Sequence, residues 1–277
     1  MKPSDDQIVS QFSDALRDPK SIVAQTSGGR FADYDKEKLT PLAQELVGYS
    51  FGCGDPLAFS QVRPGDTVLD VGCGGGLDLI IAAEKVGPNG LVIGVDMTED
   101  MLALARKNIA RSGLTNIEVR AGKIEALPVA SASIDWVVSN CVFNLIPDKG
   151  AVFHEIFRVL RPGGRILISD IVTSGLPWWL RHSPLPAASC AKTAVSEEEY
   201  LQIMADLGFV DIAVRTRQFY EPSQLAAIVV DALPPRVREL QCCGVPLAQR
   251  ALTRVASGVA RRLWSVKLHA RRPEPLS

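Results

Sequence analysis

A glycine-rich stretch between two acidic residues is the first feature of the sequence with an evident chemical use. Gly72, Gly74 and Gly76 follow Asp70 closely, and Asp96 ends the next apolar stretch. Glycines let the backbone turn tightly and approach a ligand closely. Asp96 can accept two hydrogen bonds from a ribose diol, and Asp70 is suited to a ligand ammonium group. The third glycine of a phosphate-binding loop is missing, so the spacing favours a nucleoside over a pyrophosphate.

Thiols are the second group with chemical potential. None of the six cysteines forms a CxxC pair, which argues against a structural zinc site. The first residues are polar and show no apolar segment of an export signal, so we expect free thiols in a reducing, cytoplasmic compartment. The cysteines are Cys53, Cys73, Cys141, Cys190, Cys242 and Cys243.

The bulk composition excludes two classes of partner. The chain has 30 basic and 31 acidic residues, so nucleic acid is not an implied partner. No apolar run reaches the ~18 residues that a membrane span needs, so we expect no membrane partner. Hydrophobic residues make up 47% of the 277, enough for a sizeable buried core.

Alternating strands and helices must position these groups. Strands are predicted at 67–71, 91–95, 117–121, 134–139 and 165–171, with helices between them at 77–85, 101–112 and 152–160. That alternation predicts a parallel, doubly wound α/β sheet. We predict an N-terminal extension (1–62) that carries Cys53, an α/β core (63–175), and a C-terminal region (176–277). The last region completes the sheet with strands near 211–216 and 264–271 and carries a helical insertion at 219–262.

Residues 67–171 resemble class I S-adenosylmethionine-dependent methyltransferases, which have a Rossmann-like sheet. The resemblance rests on DVGCGGG at 70–76, on the acid at 96 and on LRPGGR at 160–165. It implies S-adenosylmethionine as cofactor. Many relatives carry an acid after the glycine of the third-strand loop, whereas Lys123 follows Gly122 here. The implied cofactor-binding residues are Asp70, Gly72, Gly74, Gly76, Asp96, Met97, Ile124, Glu125 and Asn140.

A narrower resemblance, to arsenite methyltransferases, extends from about residue 49 to 216. It rests on YSFGCGDP at 49–56, GVDMT at 94–98, SNCVFNLIPDK at 139–149 and ISDI at 168–171. Trivalent arsenic is soft and prefers thiolates. Its lone pair can attack the sulfonium methyl group in line without a base, so orientation is the main task of the protein. The implied substrate is arsenite or methylarsenite, with glutathione or a thioredoxin as thiol reductant.

The resemblance also implies which thiols hold the arsenic. Cys53 and Cys190 match family positions, whereas Leu79 replaces a third family cysteine. Cys242 or Cys243, in the insertion, is a candidate replacement for a late family thiol. The default interpretation of Cys73 and Cys141 is that each fills space as a small hydrophobic residue.

Two other functions stay open at this stage. A carbon methyltransferase of ubiquinone or menaquinone biosynthesis shares the core but would not depend on cysteines. A relative that binds arsenic without turnover would explain the missing helix cysteine.

Overall fold

The computed structural model describes residues 4–17, 34–47, 50, 52–176, 178, 193–222, 241–242, 245–246 and 257–275. Cys190 and Cys243 lie outside these residues, and only the backbone of Cys242 is described. None of the helices in these ranges is long and apolar enough to span a bilayer.

Six helices lie wholly within the described residues, and the three predicted between the core strands (77–85, 101–112 and 152–160) are present with ends shifted by one to three residues. The six helices are α1 (Asp5–Arg17), α2 (Pro41–Val47), α3 (Leu77–Val86), α4 (Glu99–Ser112), α5 (Lys149–Val159) and α6 (Glu197–Asp206), with 3-10 turns at Lys36–Lys38 and Phe143–Leu145. Local sequence accounts for their starts: Asp148 caps α5 and Ser196 caps α6, each through a side-chain oxygen that accepts a backbone N–H bond.

The described residues contain nine strands: β1 (Thr67–Val71), β2 (Leu91–Asp96), β3 (Ile117–Ala121), β4 (Ile134–Asn140), β5 (Leu160–Thr173), β6 (Val210–Phe219), β7 (Gln241–Cys242), β8 (Val245–Pro246) and β9 (Leu263–Arg271). Seven of them form one sheet in the order β3-β2-β1-β4-β5-β9-β6, and β7 and β8 form a separate short pair. The first five are parallel, as predicted, and β9 and β6 are antiparallel additions. The doubly wound Rossmann-like fold is therefore confirmed, and the C-terminal strands do complete the sheet.

Two strand bounds differ most from prediction. β5 begins at Leu160 rather than 165, because Leu160 already pairs with Ile134 of β4, ahead of a shift in register. β6 runs to Phe219, beyond the predicted 216, since its far end still pairs with Trp264 of β9.

The strand order places a crevice where ligands bind in such sheets. The order reverses between β1 and β4, and ligands of open α/β sheets bind outside the carboxyl ends of the strands at such a point. Apolar clusters on the two faces of the sheet hold it rigid: α3 lies in one, and α5 and α6 lie in the other. The residues at the carboxyl ends of β1, β2, β4 and β5 are the candidates for chemistry.

Candidate cofactor and acceptor site

The loop after β1 is tied to the end of β2. The backbone N–H groups of Gly72 and Cys73 both donate to the Val95 carbonyl, at 2.8 and 3.1 Å. Gly74 has a φ of +49°, which favours glycine, and no described atom lies within 4 Å of where its Cβ would be. The loop therefore presents open backbone at the crevice, where a ligand can approach closely.

Asp96 joins this loop to the next one. One carboxylate oxygen accepts the Gly74 N–H at 2.9 Å, and the other accepts the Thr98 N–H at 2.8 Å. Burial raises the pKa of Asp96, although its hydrogen bonds with the backbone of Thr98 and Gly74, the Thr98 side chain and the backbone of Met97 oppose that effect. A carboxylate at the carboxyl end of the second strand fits a ribose diol, which would exchange for weaker donors.

Asp70 is a buried carboxylate near the carboxyl end of β1. Its exposure is 2%, and no residue in the described part of the chain donates a hydrogen bond to its carboxylate. Burial and then the negative charges of Asp78 and Asp96 raise its pKa well above the ordinary value. A cation would relieve both effects, so this position fits the ammonium and sulfonium charges of S-adenosylmethionine.

The remaining predicted cofactor residues line the same end of the sheet. Ile124 is buried and Glu125 is half-buried. Met97 is half-buried and packs against Ile8 and Leu145. Helix α1 thus lies over one of the residues predicted to bind the cofactor.

Helix α1 also explains a departure from the family pattern. Lys123, which stands where relatives carry an acid, forms an ion pair with Asp5 of α1. Arg17 at the other end of α1 pairs with Asp100 of α4 at 3.2 Å. The basic residue therefore pairs with the N-terminal helix.

Asn140 holds the loop that carries Cys53. Its Oδ1 accepts the Cys53 N–H at 2.9 Å, and its Nδ2 donates to the Gly54 carbonyl at 2.6 Å. A Cβ at Gly52 would clash with the same amide, so the loop needs a glycine there to approach so closely. The family resemblance predicts a cofactor contact for Asn140, whereas in the structure its amide forms hydrogen bonds with this loop.

The orientation of Asn140 is fixed by two further buried groups. Its Nδ2 lies 3.1 Å from Asp78 Oδ2 and 2.9 Å from the Tyr34 hydroxyl, which donates to Asp78 Oδ1 at 2.7 Å. Burial and the charge of Asp55 raise the pKa of Asp78 to about 7, against the opposing effect of its Tyr34 and Asn140 hydrogen bonds. Burial and Asp78 also raise the pKa of Tyr34 well above the ordinary value, so its proton stays in place. Neither Asp78 nor Tyr34 is a residue that sequence analysis selects.

Cys53 lies over the carboxyl ends of β4 and β5. Its buried thiol contacts the Ser169 carbonyl oxygen at 3.5 Å and the Ser169 hydroxyl at 4.0 Å. Its Sγ, the Sγ of Cys141 and a carboxylate oxygen of Asp170 all lie within 4.8 Å of one another. We call these three buried residues the thiol–carboxylate cluster.

Cys141 has an unusual backbone conformation. Its φ is +61°, which is uncommon for a residue with a side chain, and its N–H donates to Ser169 O at 2.8 Å. The sequence predicts that Cys141 lies at the carboxyl end of the fourth strand, facing the crevice or the core, with space filling as its default role. Its position beside Cys53 is not predicted, although a place directly after a strand that ends at the crevice is a signal for a role at the site.

Asp170 is held by three donors. Oδ1 accepts the Asn144 Nδ2–H at 3.0 Å and the Ile171 N–H at 2.8 Å, and Oδ2 accepts the Tyr200 hydroxyl at 2.5 Å. Burial raises the pKa of Asp170, while Tyr200 and the other donors, with Lys149, act in the opposite direction. The carboxylate is therefore fixed in place beside the two thiols.

The other cysteines do not join this cluster in the described residues. Cys73, within the glycine-rich loop, points toward Gly94 and lies in the same apolar cluster as Leu79. Burial, Asp70 and Asp96 raise the pKa of its thiol well above the ordinary value. Leu79, at the missing family cysteine, is fully buried among apolar residues. The predicted ligands Cys190 and Cys243 lie outside the described residues, as does the side chain of Cys242.

Comparisons with known proteins identify methyltransferases as relatives of this chain. A model of the methyltransferase domain family matches residues 63–215. An arsenite methyltransferase of Halobacterium salinarum is 41% identical over 191 residues, which are 69% of this chain and 49% of that protein. A demethylmenaquinone methyltransferase of Listeria monocytogenes is 34% identical over 125 residues, 45% of this chain and 53% of that protein. The chain therefore spans about half the length of these curated relatives.

A solved structure extends the comparison to the whole sheet. The arsenic(III) S-adenosylmethionine methyltransferase of Chlamydomonas reinhardtii superposes with a TM-score of 0.64 at 27% identity and covers 87% of this chain and 72% of its own. The resemblance of the sequence to arsenite methyltransferases is thereby confirmed. Because the family model matches more than half of its residues, the chain belongs to the methyltransferase domain family, and its sheet has the class I S-adenosylmethionine-dependent methyltransferase fold.

Proposed function

We propose that the chain methylates trivalent arsenic with S-adenosylmethionine. The observation that carries the proposal is the pairing of Cys53 and Cys141 at the ends of β4 and β5. Asp70 and Asp96, which suit the cofactor, lie at the ends of the adjacent strands β1 and β2. A soft acceptor held by the thiols would therefore lie beside the cofactor.

The thiols bind and orient the substrate. Each thiol forms a sulfur–arsenic bond, and its proton leaves with a displaced hydroxide as water or with a displaced thiolate as a free thiol. Trivalent arsenic keeps its lone pair after this exchange. Cys190 remains a predicted further ligand, and Cys242 or Cys243 a candidate, from the family resemblance.

The carboxylates at the ends of β1 and β2 would bind the cofactor. Asp96 would accept the ribose hydroxyls, and Asp70 would face the ammonium group. When bound, S-adenosylmethionine supplies an electrophilic methyl group for in-line attack by the arsenic lone pair. Orientation and proximity then provide most of the acceleration, and no protein base is needed at the nucleophile.

A thiol reductant completes the proposed reaction. Attack by the lone pair raises arsenic from the trivalent to the pentavalent state, so two electrons must be returned before release or a second methylation. Glutathione or a thioredoxin would supply them, and free thiols at the site fit a reducing cytoplasmic compartment.

The direct test uses purified, reduced full chain with arsenite, S-adenosylmethionine and glutathione. We expect methylated arsenic, detected by chromatography coupled to elemental mass detection. Cys53→Ser and Cys141→Ser should each abolish product, whereas Cys73→Ser should retain arsenite binding. Full activity of both cluster variants would contradict the thiol assignment. Methylation of a demethylmenaquinone-like quinone, independent of these cysteines, would favour the carbon methyltransferase alternative suggested by the Listeria relative.

A further inference from the structure

The thiol–carboxylate cluster contains one donor that arsenic does not require. Soft arsenic is satisfied by sulfur, whereas the carboxylate oxygen of Asp170 is a hard ligand. Two thiolates with one carboxylate suit a borderline cation such as Zn²⁺, which binds Cys sulfur and Asp oxygen in tetrahedral sites. We propose that Cys53, Cys141 and Asp170 also bind one Zn²⁺ or Cd²⁺ ion, in competition with arsenite.

The spacing of the ligand atoms fits such an ion. With zinc–sulfur bonds of about 2.3 Å, two thiolates on a tetrahedral ion lie roughly 3.8 Å apart. The three ligand atoms here lie within 4.8 Å of one another, so side-chain adjustments of about 1 Å or less would close the site. Spacing in the sequence gives no hint of this site, because its ligands come from three separate segments and no CxxC pair exists.

The surroundings of Asp170 match those of a metal ligand. Three donors fix the carboxylate, as outer hydrogen bonds do at metal sites. Oδ1 accepts two of them and Oδ2 accepts one, so Oδ2 keeps a lone pair for the cation.

A neighbouring amide suits a cation-bound water. The Asn144 Nδ2 donates to Asp170 and to the Ile171 carbonyl, which fixes the amide orientation. Its Oδ1 is buried and has no partner in the described part of the chain. A water on the fourth coordination position would supply a donor for that oxygen.

The charges balance in the bound state. Binding releases one proton from each thiol to solvent, so that Zn²⁺, two thiolates and one carboxylate carry a net charge of −1. Lys149 is buried, and its ammonium group attracts the Asp170 carboxylate. The ion, its ligands and Lys149 together are neutral, which lowers the penalty for burying them. Because protons are released, the affinity for Zn²⁺ should rise with pH.

The test uses the full chain, kept reduced with a phosphine. In one titration Zn²⁺ binding is measured by competition with a chromophoric chelator. In a second, Cd²⁺ binding is followed by the sulfur-to-cadmium charge-transfer absorption. We expect one ion per chain, displaced by arsenite. Cys53→Ser and Cys141→Ser should each weaken Zn²⁺ binding at least ~10-fold, and Cys73→Ser should not. Asp170→Asn should weaken Zn²⁺ more than arsenite, and thermal unfolding will show whether that variant is folded.

Each outcome decides one claim. Stoichiometric Zn²⁺ binding that survives the Cys53→Ser/Cys141→Ser double variant, or that arsenite does not displace, would overturn the zinc proposal. Competition with arsenite as substrate rests on the proposed function, but zinc binding does not. Zinc binding without arsenic methylation would therefore remove the proposed function alone, and methylation without zinc binding would remove this inference alone.

Discussion

The two halves of the crevice are built by different means. The cofactor half consists of backbone and carboxylates within one stretch of chain, from Asp70 to Asp96. The acceptor half brings together Cys53, Cys141 and Asp170, which no local pattern connects. A site made by one βαβ unit can be inferred from spacing, whereas a site made by side chains of separate segments depends on the register of the sheet.

One residue connects the two halves. Asn140 ends β4, holds the Cys53 loop and is itself held by Asp78 of α3, the helix that follows the glycine-rich loop. Asp78 also raises the pKa of Asp70. The placement of the acceptor thiol and the charge of the cofactor half are therefore linked through two side chains.

The largest expected effect is a loss of arsenite affinity when a thiol of the acceptor half is replaced. Cys53→Ser or Cys141→Ser should reduce arsenite affinity at least ~100-fold, because a soft centre loses a thiolate for a weaker oxygen ligand. Binding of S-adenosylmethionine, measured by calorimetry, should change less than about threefold. Cys73→Ser is the matched control, since that thiol is also buried but packs elsewhere. An equal loss in all three variants would show that folding, not ligation, is affected.

The converse experiment acts on the cofactor half. Asp96→Asn loses the charged acceptor for a ribose diol and for the Gly74 and Thr98 N–H groups, worth about 1.5–3 kcal/mol per charged hydrogen bond. We expect S-adenosylmethionine to bind roughly 10–100-fold more weakly. Arsenite affinity should be unchanged, and Asp100→Asn on α4 serves as the control. A drop in arsenite affinity without a change in cofactor affinity would reverse the assignment of the halves.

A third variant tests the connection itself. Asn140→Ala leaves the Cys53 N–H and the Gly54 carbonyl without their partner, at about 1–3 kcal/mol each. Arsenite affinity should fall about 10-fold, and the free energy of unfolding should fall by about 2–4 kcal/mol. The sequence-based prediction is instead that Asn140 binds the cofactor. Calorimetry with each ligand distinguishes the two roles of Asn140. A loss of affinity for S-adenosylmethionine alone would support the cofactor role.

The cofactor half could be predicted from the sequence and the acceptor half could not, because only the cofactor half is built from one stretch of chain. Local patterns predict β1 to β4 to within a residue or so, and the glycine-rich loop with Asp70 and Asp96, because strand alternation and loop glycines are local. The cluster was missed because it requires the register that pairs Asn140 with Ser169, together with the left-handed backbone of Cys141. Tyr34 and Asp78 were missed because a buried hydrogen bond between distant residues leaves no periodic signal.

The last expected effect is the pH dependence that Asp78 gives to the ligand-free protein. Its pKa is about 7 in the folded chain and 3.8 for an unperturbed aspartate, so between these pH values the folded chain keeps a proton on Asp78 that the unfolded chain has lost. This contribution to stability is present in full below the lower value and is lost as pH rises to about 7, by at most about 1.4 kcal/mol per pH unit. Asp78→Asn should therefore make the unfolding free energy, measured by urea from pH 5 to 8, less dependent on pH than in the parent.

The same variant tests whether the two halves are linked by charge. Saturating S-adenosylmethionine brings positive charge next to the carboxylates and should favour ionised Asp78, so binding should release protons near pH 7 in the parent and fewer in Asp78→Asn. Calorimetry in two buffers of different ionisation enthalpy counts those protons. S-adenosylhomocysteine, which lacks the sulfonium charge, should release fewer protons than S-adenosylmethionine. Equal proton release by both ligands in both proteins would mean that the halves share hydrogen bonds through Asn140 but are not electrostatically coupled through Asp78.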